Sequence, residues 1–212
     1  MGWSQKKSKK KKALKRKYVK KRLGAWLFCL LMIVCLSHYL PRAHFFDAHF
    51  NAKTLTSQEE AFINEIGNYA VMNYKTSKVL PSVVVAQAIL ESDFGRSQLA
   101  SQYHNLFGKK ASGKEPQVRL VTKEYTKQGW IEVSDAFVVY PNWKSSVEDH
   151  GNLIKNGTSW NANLYQKVRE SKNYRNATQA LETAGYATDP NYHNKLNRLI
   201  EEYRLYRFDY QK

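Results

Sequence analysis

Between residues 54 and 212 the apolar positions repeat at helical spacing, interrupted once by a stretch of strict alternation. Ser57-Gln-Glu-Glu60 has the form of a capping box, and Phe62, Ile63, Ile66, Tyr69 and Ala70 follow on one helical face. Pro81 then opens the run Ser82-Val-Val-Val-Ala-Gln-Ala-Ile-Leu90. Proline at a first helical position, followed by so apolar a stretch, predicts a helix buried on most faces and broken near Gly95. From Gln117 to Tyr140 the period changes to two. Val118, Leu120 and Thr122 alternate with Arg119, Val121 and Lys123, and Ile131 and Val133 alternate again after Lys127-Gln-Gly129. That pattern predicts an antiparallel hairpin, continued by Ala136-Phe-Val-Val-Tyr140 and ended by Pro141. Helical spacing then returns. Ser145-Ser-Val-Glu148 reads as a second capping box for a helix through about Ile154, with two short helices over 162–171 and 176–184. Gly185 stops the latter, and Asp189-Pro190 starts a last helix with Leu196, Leu199, Ile200 and Tyr203 inward. The expected class is α+β: a mainly helical domain with one small antiparallel hairpin lobe and no internal repeat.

Charge alters this picture only at the N-terminus. The first 22 residues hold 12 Lys and Arg and no acid, and the remaining 22 basic and 18 acidic residues leave +4 of the formal +16. Alone, such a block would suggest nucleic acid. It is followed, however, by Leu23 to Leu40, 18 residues without a single Asp, Glu, Lys or Arg. At 1.5 Å per residue these form roughly 27 Å of helix, enough for a bilayer core. Basic residues on one flank predict an N-terminus in the cytoplasm and everything after 41 outside. The Lys/Arg block then meets anionic lipid head groups, and nucleic acid is not expected as a partner. A cleaved signal peptide is the alternative, but Cys35-Leu-Ser37 is a poor cleavage site and the basic region is long. The expected division is a basic tail (1–22), a signal-anchor transmembrane helix (23–40), a stalk (41–53) and an extracytoplasmic domain (54–212). Both cysteines lie in the apolar span, so the domain has no disulfide and must be held by its core.

Glu91 is the residue that carries candidate chemistry. It follows the apolar helix directly, where a carboxylate loses water and faces the negative end of the helix dipole. Both effects raise its pKa, and a carboxylic acid protonated near neutral pH can act as a general acid. The competing reading is a helix-end carboxylate that reaches solvent or pairs with Arg96. No zinc or nucleotide pattern accompanies it: His104, His150 and His193 are scattered, and no cofactor is expected.

Onward from Glu91 the chain reads Glu91-Ser-Asp-Phe-Gly95-Arg-Ser97-Gln-Leu-Ala100, then Asn105-Leu-Phe-Gly108-Lys-Lys110, and later Tyr186-Ala-Thr-Asp-Pro-Asn-Tyr192. These segments resemble E-S-x-x-G-x-S-x-L-A, N-x-F-G-x-K and Y-A-T-D-x-x-Y of glycoside hydrolase family 73. Its members are endo-β-N-acetylglucosaminidases of the lysozyme-like superfamily that cut peptidoglycan. The resemblance runs from about Ser57 to Arg207 and implies a lysozyme-like fold, with peptidoglycan glycan strands as the partner. It makes Glu91 the catalytic acid and puts a second carboxylate on the hairpin, where Glu124 is the best match and Glu132 and Asp135 compete. Tyr186 is implied near the reaction centre, with Asn105, Phe107 and Tyr192 lining the groove. Inverting, retaining and substrate-assisted routes all stay open, since the carboxyl separation decides between them. Lytic transglycosylase, muramidase and a non-catalytic wall-binding module are the rival activities.

Overall fold

The computed structural model describes residues 55–126 and 129–212, with side chains except at 122–126 and 129–131. The lysine block, the apolar span Leu23–Leu40 and the stalk lie outside the described residues. Among those described, no helix is long and apolar enough to cross a membrane.

The chain forms α1 (Ser57–Ser77), α2 (Pro81–Ser92), α3 (Gln98–Tyr103), β1 (Gln117–Thr126), β2 (Gly129–Val138), α4 (Trp143–Asn156), α5 (Gln166–Glu170), α6 (Tyr174–Thr183), α7 (Tyr192–Glu202) and a closing 3₁₀ turn (Leu205–Tyr210). Helix α2 is the axis of the domain. Every residue from Pro81 to Ile89 is buried, because α1, α6, α7 and the 3₁₀ turn surround it. Where α1 meets the 3₁₀ turn the packing is close enough that a Cβ on Gly67 of α1 would stand 2.3 Å from the Phe208 ring. The expected mainly helical architecture with a two-stranded antiparallel sheet is what the chain adopts.

Hairpin register follows the alternation in the sequence. Gln117 pairs with Val138 and the ladder runs through Glu124–Ile131 to Thr126–Gly129. Val118 and Leu120 are half-buried, whereas Arg119 and Val121 face solvent. The lobe is fastened at its base by Asn105, whose amide donates to the carbonyls of Lys109 and Val138 at 2.9 Å each.

Several boundaries differ from the sequence expectation, three of them for a visible reason. The first capping box is Thr56 with Glu59, one residue earlier: the Glu59 N–H donates to Thr56 Oγ1, and the Thr56 N–H to Glu59 Oε2. Both registers fit the pattern, and Glu59 prevails because its other oxygen pairs with Arg96. Helix α4 starts at Trp143, capped by Asn142 accepting from the Ser145 N–H rather than by Ser145. Of the helix expected over 162–171 only Gln166–Glu170 forms, since a turn closed between Thr158 and Asn161 takes the preceding residues.

Helix α2 has no side-chain cap from its own neighbourhood. Its N-terminus is held by Asp209, which accepts from the Ser82 N–H at 2.9 Å and the Ser82 hydroxyl at 2.7 Å. A carboxylate there satisfies an orphan donor and complements the helix dipole. Asp209→Ala is expected to cost about 1–2 kcal/mol, read as a lowered urea midpoint with unchanged slope.

Candidate active site

The turn after α2 fixes where Glu91 points. Asp93, Phe94 and Gly95 have φ of 51°, 55° and 77°, three successive left-handed residues that reverse the chain. Ser92 holds the reversal: its hydroxyl donates to the Ala88 carbonyl at 2.6 Å and accepts from the Gly95 N–H at 2.8 Å. A Cβ on Gly95 would lie 2.7 Å from the Trp143 ring and 2.9 Å from Phe62. Arg96 bonds both oxygens of Asp93 and reaches Glu59, and Ser97 caps α3. Each fixed residue of E-S-x-x-G-x-S thus has a local reason to be of its type.

Glu91 is half-buried on the last turn of α2. Its Oε1 accepts from the Tyr192 hydroxyl at 3.0 Å, and that hydroxyl accepts from Gln87 Nε2, also at 3.0 Å. Gln87 stands one helical turn before Glu91, and both it and Tyr192 are fully buried. Loss of water pushes the Glu91 carboxyl up from its ordinary 4.5 to about 8, against the opposing Tyr192 hydrogen bond and the positive charge of Lys195. Lys195 is held at 2.5 Å from Asp189, whose lowered pKa keeps it ionised although burial opposes this. Glu91 is therefore protonated at neutral pH.

This has a sign in both stability and rate. The folded chain retains the Glu91 proton between about 4.5 and 8, where the unfolded chain has lost it. The stabilisation is complete below the lower value and is lost as pH rises through the higher. The difference in Tm between wild type and Glu91→Gln should accordingly shift in favour of the variant from pH 4.5 to 8. Turnover that depends on the acid should fall about tenfold per pH unit above 8. Parallel melting and rate profiles against pH check the pair.

Tyr186 is half-buried against three rings: Tyr192, stacked at 5.8 Å and 22°; His150, edge-on at 5.9 Å; and Tyr165 at 6.1 Å. The structure thus links Glu91 to Tyr192 by a hydrogen bond and Tyr192 to Tyr186 by ring stacking. It corrects the roles of two groove candidates. Tyr192 is fully buried and cannot meet a sugar; it holds Glu91 from beneath. Asn105 is buried, and its amide is committed to Lys109 and Val138, so it fastens the lobe instead of binding an N-acetyl group. Phe107 is also buried, stacked on His150 at 4.2 Å.

On the hairpin, Asp135 is paired with Lys110 at 2.7 Å, which ties β2 to the N-x-F-G-x-K loop. Glu132 is exposed and pairs across the ladder with position 123, of the same parity as solvent-facing 119 and 121. Position 124 has the parity of half-buried 118 and 120, and the Glu124 side chain lies outside the described residues. Asp149 accepts from Lys109 and from the Tyr140 hydroxyl, each at 2.5 Å.

Two participants escape sequence reasoning. Gln87 carried a signal, being the single polar side chain between Val83 and Leu90 and four residues before Glu91. His150 carried none. It is buried on α4, neither ring nitrogen is hydrogen-bonded among the described residues, and burial lowers its pKa to about 4. Leaving such a group unpaired costs about 1–3 kcal/mol.

Comparison with known proteins gives the family and the fold. Residues 67–205 match the glucosaminidase family model, described as mannosyl-glycoprotein endo-beta-N-acetylglucosaminidase. Exo-glucosaminidase LytG of Bacillus subtilis (strain 168) is 41% identical over 152 residues, covering 72% of this chain and 54% of LytG. A probable N-acetylmuramidase of Lactococcus lactis subsp. lactis (strain IL1403) is 40% identical over 157 residues, covering 73% of this chain and 36% of that protein. This chain therefore spans about half of the first relative and about a third of the second. The catalytic domain of the autolysin Auto from Listeria monocytogenes superposes with a TM-score of 0.68 at 39% identity, covering 73% of this chain and 89% of that domain. With its acid at the end of a buried helix, its hairpin lobe and a family match over most of the folded part, the chain belongs to the glucosaminidase family, glycoside hydrolase family 73.

Proposed function

We propose that this protein hydrolyses peptidoglycan glycan strands at the β-1,4 bond on the reducing side of N-acetylglucosamine, with Glu91 as general acid. The geometry that carries the reading is a half-buried carboxyl at the end of α2, gripped by Tyr192, which is itself stacked on Tyr186, with loss of water raising its pKa to about 8. Glu91 gives its proton to the glycosidic oxygen as the C1–O bond breaks, and positive charge develops at C1. Tyr186 orients the N-acetyl group or the attacking water. Glu124 of β1 either activates that water or steadies an acetamido oxygen that attacks C1. Water supplies the hydroxyl at C1, and its second proton restores Glu91 directly or by way of Glu124.

A muramidase is the second reading, favoured by what the lactococcal relative is named for. Borohydride reduction of the digested fragments followed by mass spectrometry separates them. N-acetylglucosaminitol ends are expected. N-acetylmuramitol ends would move the cut to the other bond, and anhydromuramic ends would replace hydrolysis by transglycosylation.

The apolar span Leu23–Leu40 behind its basic block supports a single-pass anchor with the catalytic domain outside the cell. Protease added to intact protoplasts should degrade the domain. Protection would reverse the orientation.

A further inference from the structure

His150 is costly to the fold and close to the reaction. Its ring is stacked on Phe107 at 4.2 Å and 23°, and stands edge-on to Tyr186 at 5.9 Å and 69°. It is 4% exposed, and neither Nδ1 nor Nε2 has a hydrogen-bond partner among the described residues. A phenyl ring could fill the same slot between Phe107 and Tyr186 without burying two unpaired nitrogens. Neighbouring charge does not account for it either: the carboxylate of adjacent Asp149 is taken up by Lys109 and Tyr140. Where a fold keeps a group it would be more stable without, beside a reacting residue, function is the usual reason.

We propose that His150 is a positioning residue for Tyr186, and that the polarity of its ring, rather than its shape, sets the tyrosine for the reaction. The inference rests on the glycosidase reading of the Glu91 and Tyr186 site. An imidazole edge is more strongly polarised than a phenyl edge, so its contact with the tyrosine ring is oriented and not merely filled. From Tyr186 the geometry passes through the stacked Tyr192 ring to the Glu91 carboxyl, so a tilt of Tyr186 alters the group nearest the acid. The imidazole is neutral, which spares the apolar pocket a buried charge.

The test is a double-mutant cycle of His150→Phe and Tyr186→Phe, assayed for turnover of purified peptidoglycan and for Tm. His150→Phe is expected to melt at or above wild type while kcat falls about tenfold and KM stays within twofold. In the Tyr186→Phe background it should change kcat by less than twofold. A packing role would not pair a higher Tm with a lower kcat. Unchanged kcat in the single variant, or an equal fall in both backgrounds, would overturn the proposal. His150→Leu removes the same nitrogens in a smaller volume and supplies the comparison should the phenylalanine variant not fold. A Glu91→Gln protein as active as wild type would instead sink Glu91 as the acid, and with it the reading of the site on which this inference rests, a result the cycle cannot produce.

Discussion

Glu91→Gln is expected to lower kcat on purified peptidoglycan about 10³-fold while leaving glycan binding within about twofold. Gln matches Glu in size and still accepts from the Tyr192 hydroxyl through its carbonyl oxygen, so the Gln87–Tyr192 chain keeps its geometry. On the proposed mechanism, what disappears is the proton for the departing oxygen. Removing a general acid alone costs about 10²–10⁴-fold, and the sugar contacts that determine binding are untouched. Loss of binding together with turnover would mean that Glu91 shapes the groove. Unchanged turnover would send the search for the acid elsewhere. The same variant should be at least as stable as wild type near pH 7, because it removes a carboxyl whose ionised form the site disfavours.

Gly95→Ala is the second large effect, expected to cost about 2–4 kcal/mol, from left-handed backbone strain together with overpacking. A φ of 77° disfavours any side chain, and the new methyl would lie 2.7 Å from Trp143 and 2.9 Å from Phe62. Neither ring can retreat easily. Trp143 is tethered by its indole N–H to the Ala100 carbonyl, and Phe62 is in the core between Phe94 and Trp143. Strain released by moving the turn would carry Glu91 with it, since Ser92 bonds both Ala88 and Gly95. Displacement on the scale of 1 Å can lower turnover about 10²-fold. Urea melts and rates of Gly95→Ala check both parts. Wild-type stability would show that the rings yield, and that the glycine is needed for neither its φ nor its lack of a Cβ.

What the sequence discloses of this molecule depends on how local each determinant is. Glu91 was legible because an apolar helix of twelve residues announces burial by composition, and a carboxylate at its end stands out. The hairpin was legible because alternation and register are one fact: 118 and 120 inward, 119 and 121 outward. Gly95 and Ser97 were legible as members of a motif, although their reasons, a left-handed turn and a helix cap, emerged only in three dimensions. Tyr192 and Asn105 were misjudged in role. An aromatic hydroxyl and an amide suit sugar binding by chemistry, and nothing nearby in sequence says that both are sealed under the surface. His150 was invisible for the same reason: its neighbours Phe107 and Tyr186 are 43 and 36 residues away. The start of α1 slipped by one residue because Thr56 and Ser57 each precede a glutamate by three, and the choice is made by Arg96, distant in sequence.

The bonds that complete helix α2 come from far along the chain. Glu91 waits for Tyr192, 101 residues later, and Ser82 for Asp209, 127 residues later. During synthesis the helix that bears the acid can therefore emerge and even coil, but its carboxyl has no partner until the last helix follows it out. An interrupted polypeptide released before Tyr192 carries the segments from Glu91 to Ala100 and from Asn105 to Lys110 intact, yet its Glu91 lacks the hydroxyl that holds it. For an enzyme proposed to cut the wall that protects its own cell, that order of assembly withholds lytic power from every incomplete copy.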